Sequence, residues 1–270
     1  MRLDPPCPLT ACPGSASGTR RSSPVLPRLP TGTRVHLEIG CLSAAALRFR
    51  LQSDPTCVCI GVDVLEPEFI YSLVAGALGG ACDRFHYVRC DAGTITRAGL
   101  ADLVRDVTGL TLESLDSIHF SPNCQTLSRA KRRAGRPHRV IGNSEHDPSQ
   151  LGALPVDRVE WLLRPVSPQA VRDDFVRAHV LSLLRDLVAD YPKLFVSVEN
   201  PVGAFRFMPD VRLTCAAPGW QIITLDYCAV TDVTLEGLSP QKPSDILLFG
   251  AVADRRVLAP RCRQAECPHV

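Results

Sequence analysis

Between Thr33 and Phe120 the chain repeats one rhythm. Arg34-Val35-His36-Leu37-Glu38-Ile39, Cys57 to Val64, Phe85 to Arg89 and Leu115 to Phe120 are short runs with the composition of strands. Between them stand helical patterns over Ala44 to Leu51, Glu66 to Ala77 and Thr94 to Val107, the last with Leu100, Leu103, Val104 and Val107 on one face. Strand and helix in strict alternation predict a mostly parallel central sheet with right-handed crossovers and helices on both faces, an α/β fold. After Phe120 the rhythm breaks, and Gly142 to Pro155 reads as loop. It returns with a long amphipathic helix marked by Val171, Phe175, Val176, Val180, Leu183, Leu184, Leu187 and Val188, stopped at Tyr191-Pro192. Further strands are predicted at Leu194 to Val198, Gln221 to Tyr227 and Asp245 to Phe249.

Bulk properties narrow the class. A chain of 270 residues with 45% hydrophobic and 21% charged residues can bury a real core. No apolar run reaches the length of a membrane span, so no membrane partner is expected. The formal net charge of +2 does not announce a nucleic-acid binder, so any basic surface has to be local. Twelve cysteines without an apolar signal segment fit small buried residues in an intracellular, reducing compartment, nucleus or cytoplasm. Residues 1–32 carry seven prolines, four arginines and one acid without any period, and read as a disordered leader, with organelle targeting the alternative. Residues 33–250 then form the domain and 251–270 a tail. A monomer is expected.

Chemistry concentrates where predicted strands end, the edge at which open α/β sheets take their ligands. The turn at Gly40 after the first strand lets a cofactor approach the backbone. Asp63, ending the second strand, suits ribose hydroxyls, and Asp91, after the third, an amino group of a base; an ordinary turn with solvated acids reads the same residues equally well. The fourth strand runs into Ser121-Pro122-Asn123-Cys124-Gln125, where Cys124 is the candidate nucleophile rather than one more buried cysteine. Glu199, at the end of Val-Ser-Val-Glu-Asn-Pro, would donate a hydrogen bond if burial kept it neutral; a capping or salt-bridged glutamate is the alternative. Arg129, Lys131, Arg132, Arg133, Arg136 and Arg139 form a basic run that reads either as phosphate contact or as a solvated loop. Cys262, Cys267 and His269 lack a CxxC pair and a fourth ligand, so no metal is expected.

Taken in order, Val35-His36-Leu37-Glu38-Ile39-Gly40, Gly61-Val62-Asp63-Val64, Cys90-Asp91, Ser121-Pro122-Asn123-Cys124-Gln125, Glu199-Asn200-Pro201, Asp226-Tyr227-Cys228 and Lys242-Pro243-Ser244-Asp245-Ile246 resemble the motifs of the cytosine-5 DNA methyltransferase family, especially its compact phage- and virus-type members. The resemblance runs from about residue 33 to 270. It implies the Rossmann-like fold of class I methyltransferases. It further implies S-adenosylmethionine as cofactor, held by Glu38, Gly40, Asp63 and Asp91. Cys124 would attack C6 of a flipped cytosine, Glu199 would hydrogen-bond the ring nitrogen, and the methyl group would pass to C5. Arg129, Lys131, Arg132 and Arg133 would meet the DNA.

The chain departs from the family's pattern at named places. Glu38, Gly40 and Leu42 stand where the family has Phe-x-Gly-x-Gly, Asn123 replaces a proline, Pro201 replaces a valine, and no Gln-x-Arg-x-Arg motif or separate target-recognition segment is present. These departures imply low sequence specificity. They leave two alternatives open: RNA as the substrate, or an inactive methyltransferase-like protein that binds nucleic acid.

Overall fold

The computed structural model describes residue 29 and residues 32–41, 45–78, 82–127, 138–141, 148–226 and 243–250. Nearly all of the leader, the tail, the basic residues Arg129, Lys131, Arg132, Arg133 and Arg136, and Tyr227, Cys228, Lys242, Cys262, Cys267 and His269 lie outside the described residues. Seven strands form one sheet in the order β3-β2-β1-β4-β5-β7-β6. They are β1 (Arg34–Ile39), β2 (Cys57–Asp63), β3 (Phe85–Arg89), β4 (Leu115–Phe120), β5 (Phe195–Pro201), β6 (Trp220–Asp226) and β7 (Pro243–Phe249). The β1–β2, β2–β3 and β4–β5 pairs are parallel, whereas β7 runs antiparallel to both β5 and β6. This is the mostly parallel α/β sheet that the alternation predicts. The chain divides into two compact units, Met1–Asp116 and Ser117–Val270.

In the first unit β1 and β2 are buried along almost their whole length, as interior parallel strands must be. Helices α1 (Ala45–Ser53) and α2 (Pro67–Leu78) belong to the same core, in which Leu47, Leu51, Cys57, Cys59, Ile70, Val74, Phe85 and Tyr87 pack together. Gly61 of β2 has no room for a side chain: a Cβ there would stand 3.0 Å from Cys41 Sγ and 3.1 Å from Leu47 Cδ1. The helix predicted from Thr94 starts later. Asp91 first caps a single 3-10 turn, Ala92–Thr94, and Thr96 then caps α3 (Arg97–Thr108) by accepting from Gly99 N. Gly109, in the left-handed region at φ 71°, ends it.

The second unit is built on α6 (Pro168–Asp190), capped by Ser167 with Pro168 in its first turn. The expected helix is there, but the expected apolar face is wrong in its first half. Val171 and Phe175 are 55% and 53% exposed, while Asp173 and Arg177 are buried. Inward-facing positions follow 170, 173, 177, 180, 184 and 187, and the polar pair holds two of them. The reason is an ion-pair network. Arg177 donates Nε to Asp210 Oδ2 at 2.7 Å and Nη1 to Asp174 Oδ1 at 2.9 Å. Arg139, fully buried, grips Asp174 with both terminal nitrogens at 3.0 and 2.6 Å. Arg139 is therefore neither a phosphate contact nor part of a solvated loop.

Three short helices escape the sequence reading. The stretch read as loop contains α4 (Pro148–Gly152). It is followed by α5 (Val156–Leu162), and α7 (Pro209–Ala216) precedes β6. One or two turns give too few apolar positions to establish a period. Asp210 at the start of α7 is one anchor of the network.

Removing one partner of a buried ion pair strands the others without compensation, at about 3–5 kcal/mol. Arg177→Ala should lower the unfolding free energy by that amount in urea titrations. Replacing the exposed Arg164 with Ala should change it by less than about 0.5 kcal/mol. An Arg177→Ala loss under about 1 kcal/mol would show that the network is not a structural support.

Candidate active site

The first unit gathers four of the predicted residues at one sheet edge. Register pairs Glu38 with Gly61 and Asp63 with Arg89, so the carboxyl ends of β1, β2 and β3 lie side by side. Gly40 leaves β1 with φ 72°, a conformation that favours glycine, and donates its N–H to Val62 O at 2.8 Å. Asp63 Oδ1 accepts from Val64 N at 2.7 Å, and the Asp63 carbonyl accepts from Cys90 N at 2.8 Å. Asp91 Oδ1 accepts from Gly93 N at 2.9 Å. These backbone bonds orient the acids of both turns and join the ends of β2 and β3.

Glu38 does something the sequence reading does not anticipate. Its Oε2 accepts from Leu47 N at 2.8 Å, so the buried carboxylate satisfies an orphan amide in the first turn of α1. Burial pushes its pKa up to about 7, opposed by the Leu47 hydrogen bond and Arg48 and aided by the Asp63 charge. Cys41, beside it, is pushed far above the usual thiol range by burial and by the Glu38 and Asp63 carboxylates, which disqualifies it as a nucleophile.

The second unit holds the other two residues. β4 and β5 are parallel neighbours in register Phe120↔Val198, so the Cys124 loop and Glu199-Asn200-Pro201 leave the same edge of adjacent strands. Cys124 is partly exposed, and its carbonyl closes a turn by accepting from Leu127 N at 3.0 Å. Glu199 is buried, and its Oε1 accepts from Ser244 Oγ at 2.7 Å. The neighbouring Asp245 is buried against Arg206, with Arg206 Nε at 3.0 Å and Thr224 Oγ1 at 2.8 Å from its carboxylate. The Ser-Asp pair of β7 thus fixes Glu199 with one residue and Arg206 with the next.

Further side chains surround the loop. His119 is half-buried, and its ring nitrogens stand 2.8 Å from Ser197 Oγ and 2.9 Å from Ser121 Oγ. Burial lowers its pKa, against the charge of Glu199, so it is a neutral imidazole that links the two strand ends. Asn200 is fully buried and donates Nδ2 to Pro122 O at 3.4 Å. Its Oδ1 has no hydrogen-bond partner among the described residues. His119, Asn200, Ser244 and Arg206 are absent from the sequence reading of the site. For Asn200 and Ser244 the signal is their place inside the Glu-Asn-Pro and Lys-Pro-Ser-Asp motifs; His119 and Arg206 carry none. No cluster of metal-ligating side chains occurs among the described residues.

The Glu38 shift gives a test. A carboxyl whose folded pKa is raised gains a proton on folding between its unfolded value near 4.5 and its folded value near 7. It therefore subtracts stability as pH rises through that window, and the full penalty is present above pH 7. Relative to wild type, Glu38→Gln should gain roughly 2–3 kcal/mol of unfolding free energy between pH 5 and pH 8. A pH-independent difference in paired urea titrations would contradict this assignment.

No protein family and no curated protein matches the chain. Solved structures do. A mutant of the 16S rRNA (adenine(1408)-N(1))-methyltransferase from Catenulisporales acidiphilia is similar over 82% of this chain and 89% of its own, at 17% identity and a TM-score of 0.40. A mutant of Spodoptera frugiperda DNMT2 is similar over 86% of this chain and 55% of its own, at 11% identity and a TM-score of 0.46. The Entamoeba histolytica methyltransferase EhMeth is similar over 82% of this chain and 55% of its own, at 11% identity and a TM-score of 0.44. The chain spans about half the length of the latter two. At this level of likeness the chain's own residues have to carry any functional reading.

Proposed function

We propose that the protein is an S-adenosylmethionine-dependent DNA (cytosine-5-)-methyltransferase with Cys124 as nucleophile and Glu199 as the acid that hydrogen-bonds the ring. The observation that carries this reading is the shared edge of β4 and β5. A partly exposed cysteine in the tied loop after β4 and a buried, hydrogen-bonded glutamate near the end of the adjacent parallel strand β5 stand at the same edge, and Asn200 bonds one segment to the other.

Each side chain has a task that its surroundings suit. Cys124, as the thiolate, forms the bond from Sγ to C6 of a flipped cytosine, and the C5=C6 electron pair moves onto C5 and into the ring. Glu199 hydrogen-bonds the ring nitrogen that gains this charge, and Ser244 fixes the orientation of its carboxyl. C5 takes the methyl group. Loss of the C5 proton to water then restores the double bond and expels the Cys124 thiolate.

S-adenosylmethionine supplies the electrophilic methyl group on a sulfonium, whose bonding pair stays on sulfur. The donor set at the ends of β1, β2 and β3 fits such a molecule. Gly40 gives a close backbone turn, Asp63 a carboxylate at the position that takes ribose hydroxyls, and Asp91 an acceptor for a base amino group. Glu38 supports the turn by tying β1 to α1. The basic residues Arg129, Lys131, Arg132 and Arg133 complete the reading as phosphate contacts along the DNA.

The test is transfer of labelled methyl from S-adenosylmethionine to mixed-sequence DNA, with the product identified as 5-methyldeoxycytidine after digestion to nucleosides. Cys124→Ser should abolish transfer. Glu199→Ala should lower the rate about 10²–10³-fold, the scale for losing one aligned hydrogen-bonding group. Label appearing only in RNA would move the substrate to RNA. Label on adenine, or transfer that survives Cys124→Ser, would overturn the mechanism.

A further inference from the structure

We propose that Asp173 is a positioning residue for Cys124: from α6 it clamps the two residues that flank the nucleophile. This rests on the reading of Cys124 as nucleophile. Asp173 is buried, 8% exposed, on a face where a helix of this kind normally carries an apolar residue. A buried carboxylate persists only where hydrogen bonds replace water. Asp173 has three neutral donors, two of them from the loop. Its Oδ1 accepts from Asn123 Nδ2 at 3.2 Å and from Gln169 Nε2 at 2.7 Å, and its Oδ2 accepts from Thr126 Oγ1 at 2.9 Å. Asn123 precedes Cys124 by one residue and Thr126 follows it by two, so a single rigid carboxylate spans the reactive residue.

The charges around it are divided so that Asp173 is left for this task. The buried arginines bond Asp174 and Asp210 instead, and among the described residues no cation forms an ion pair with Asp173. Arg139 adds a second tie by donating Nε to the Thr126 carbonyl at 3.0 Å. Asn123 serves two ends at once, because its Oδ1 also accepts from Gln125 N at 3.1 Å, which closes a turn across Cys124. The loop has no sheet or helix bonds to hold it. Its shape depends on these side chains, and nucleophilic attack is sensitive to misplacement on the ångström scale.

The experiment is a coupling cycle on the full chain with three variants: Asp173→Ala, the loop-side pair Asn123→Ala with Thr126→Val, and all three together. Two quantities are read. Amide exchange by mass spectrometry, over a peptide spanning 121–127, reports the loop without any reaction. Single-turnover methyl transfer to DNA reports its consequence. Asp173→Ala and the loop-side pair should each raise exchange in 121–127 while β5 and the rest of α6 stay protected. Each should slow methyl transfer roughly 10- to 100-fold, the scale for misplacing a reacting group. The triple variant should be no worse than the loop-side pair, because the pair has already lost both bonds from the loop to Asp173. Additive losses, or unchanged exchange in 121–127, would overturn the clamp. Where Asp173→Ala does not fold, Thr126→Val alone, which removes a bond to Asp173 and leaves the Asn123 turn, decides through local exchange. A wild type that transfers no methyl would sink the proposed reaction, and the exchange readout would still decide whether Asp173 holds the loop.

Discussion

The loop that carries Cys124 has no regular structure, and its conformation is a consequence of what ties it. Pro122 is bonded by Asn200 from β5, Asn123 and Thr126 by Asp173 from α6, the Thr126 carbonyl by Arg139, and the Leu127 carbonyl by Ala204 N. Each tie comes from a residue that is itself fixed. Asn200 lies in a strand between two partners, Arg139 is locked on Asp174, and Asp173 rides on a helix of 23 residues. The polar stripe on α6 is the constraint behind the rest. It gives up apolar burial in order to hold Asp173 and to seat the arginines that hold its neighbours. A helix chosen only for stability would place leucines there.

The first unit shows the same trade on a smaller scale. Glu38 sits where parallel strands usually carry Val or Ile, and burial makes its ionised form unfavourable. What it provides is a fixed relation between the end of β1 and the start of α1. The positive φ of Gly40 and the bond from Cys90 N to the Asp63 carbonyl extend that order to all three strand ends. The polar groups of this edge are held by one another, so its shape is set within the unit itself.

The sheet was legible because its strands are short apolar or alternating runs bounded by turn residues, with β1 and β2 buried on both faces. The seven strands fall close to where their composition and turn residues predict them. Residues at strand ends were legible for the same reason: Glu38, Gly40, Asp63, Asp91, Cys124 and Glu199 inherit their positions from strand boundaries. What stayed hidden depends on contacts between segments distant in sequence. Nothing local distinguishes Arg139 from the arginines that precede it, yet its partners Asp174 and Leu163 make it a buried anchor. The α6 face misled because Val171 and Phe175 are apolar and outward, and an apolar period cannot report a polar stripe. His119 and Arg206 carry no local signal; their roles follow from contacts with Ser197 and Asp245 on other strands.

The proposed reaction requires a covalent bond from Cys124 to the cytosine ring, and a trap for that bond tests it most directly. DNA carrying 5-fluorocytosine presents a ring whose C5 fluorine blocks the final elimination. Incubated with S-adenosylmethionine, it should leave the protein attached to DNA under denaturing conditions, with the adduct mapped by mass spectrometry to the peptide containing Cys124. The adduct should require the cofactor and vanish in Cys124→Ser. No adduct from protein that binds the cofactor and the DNA, or an adduct at another cysteine, would contradict the account.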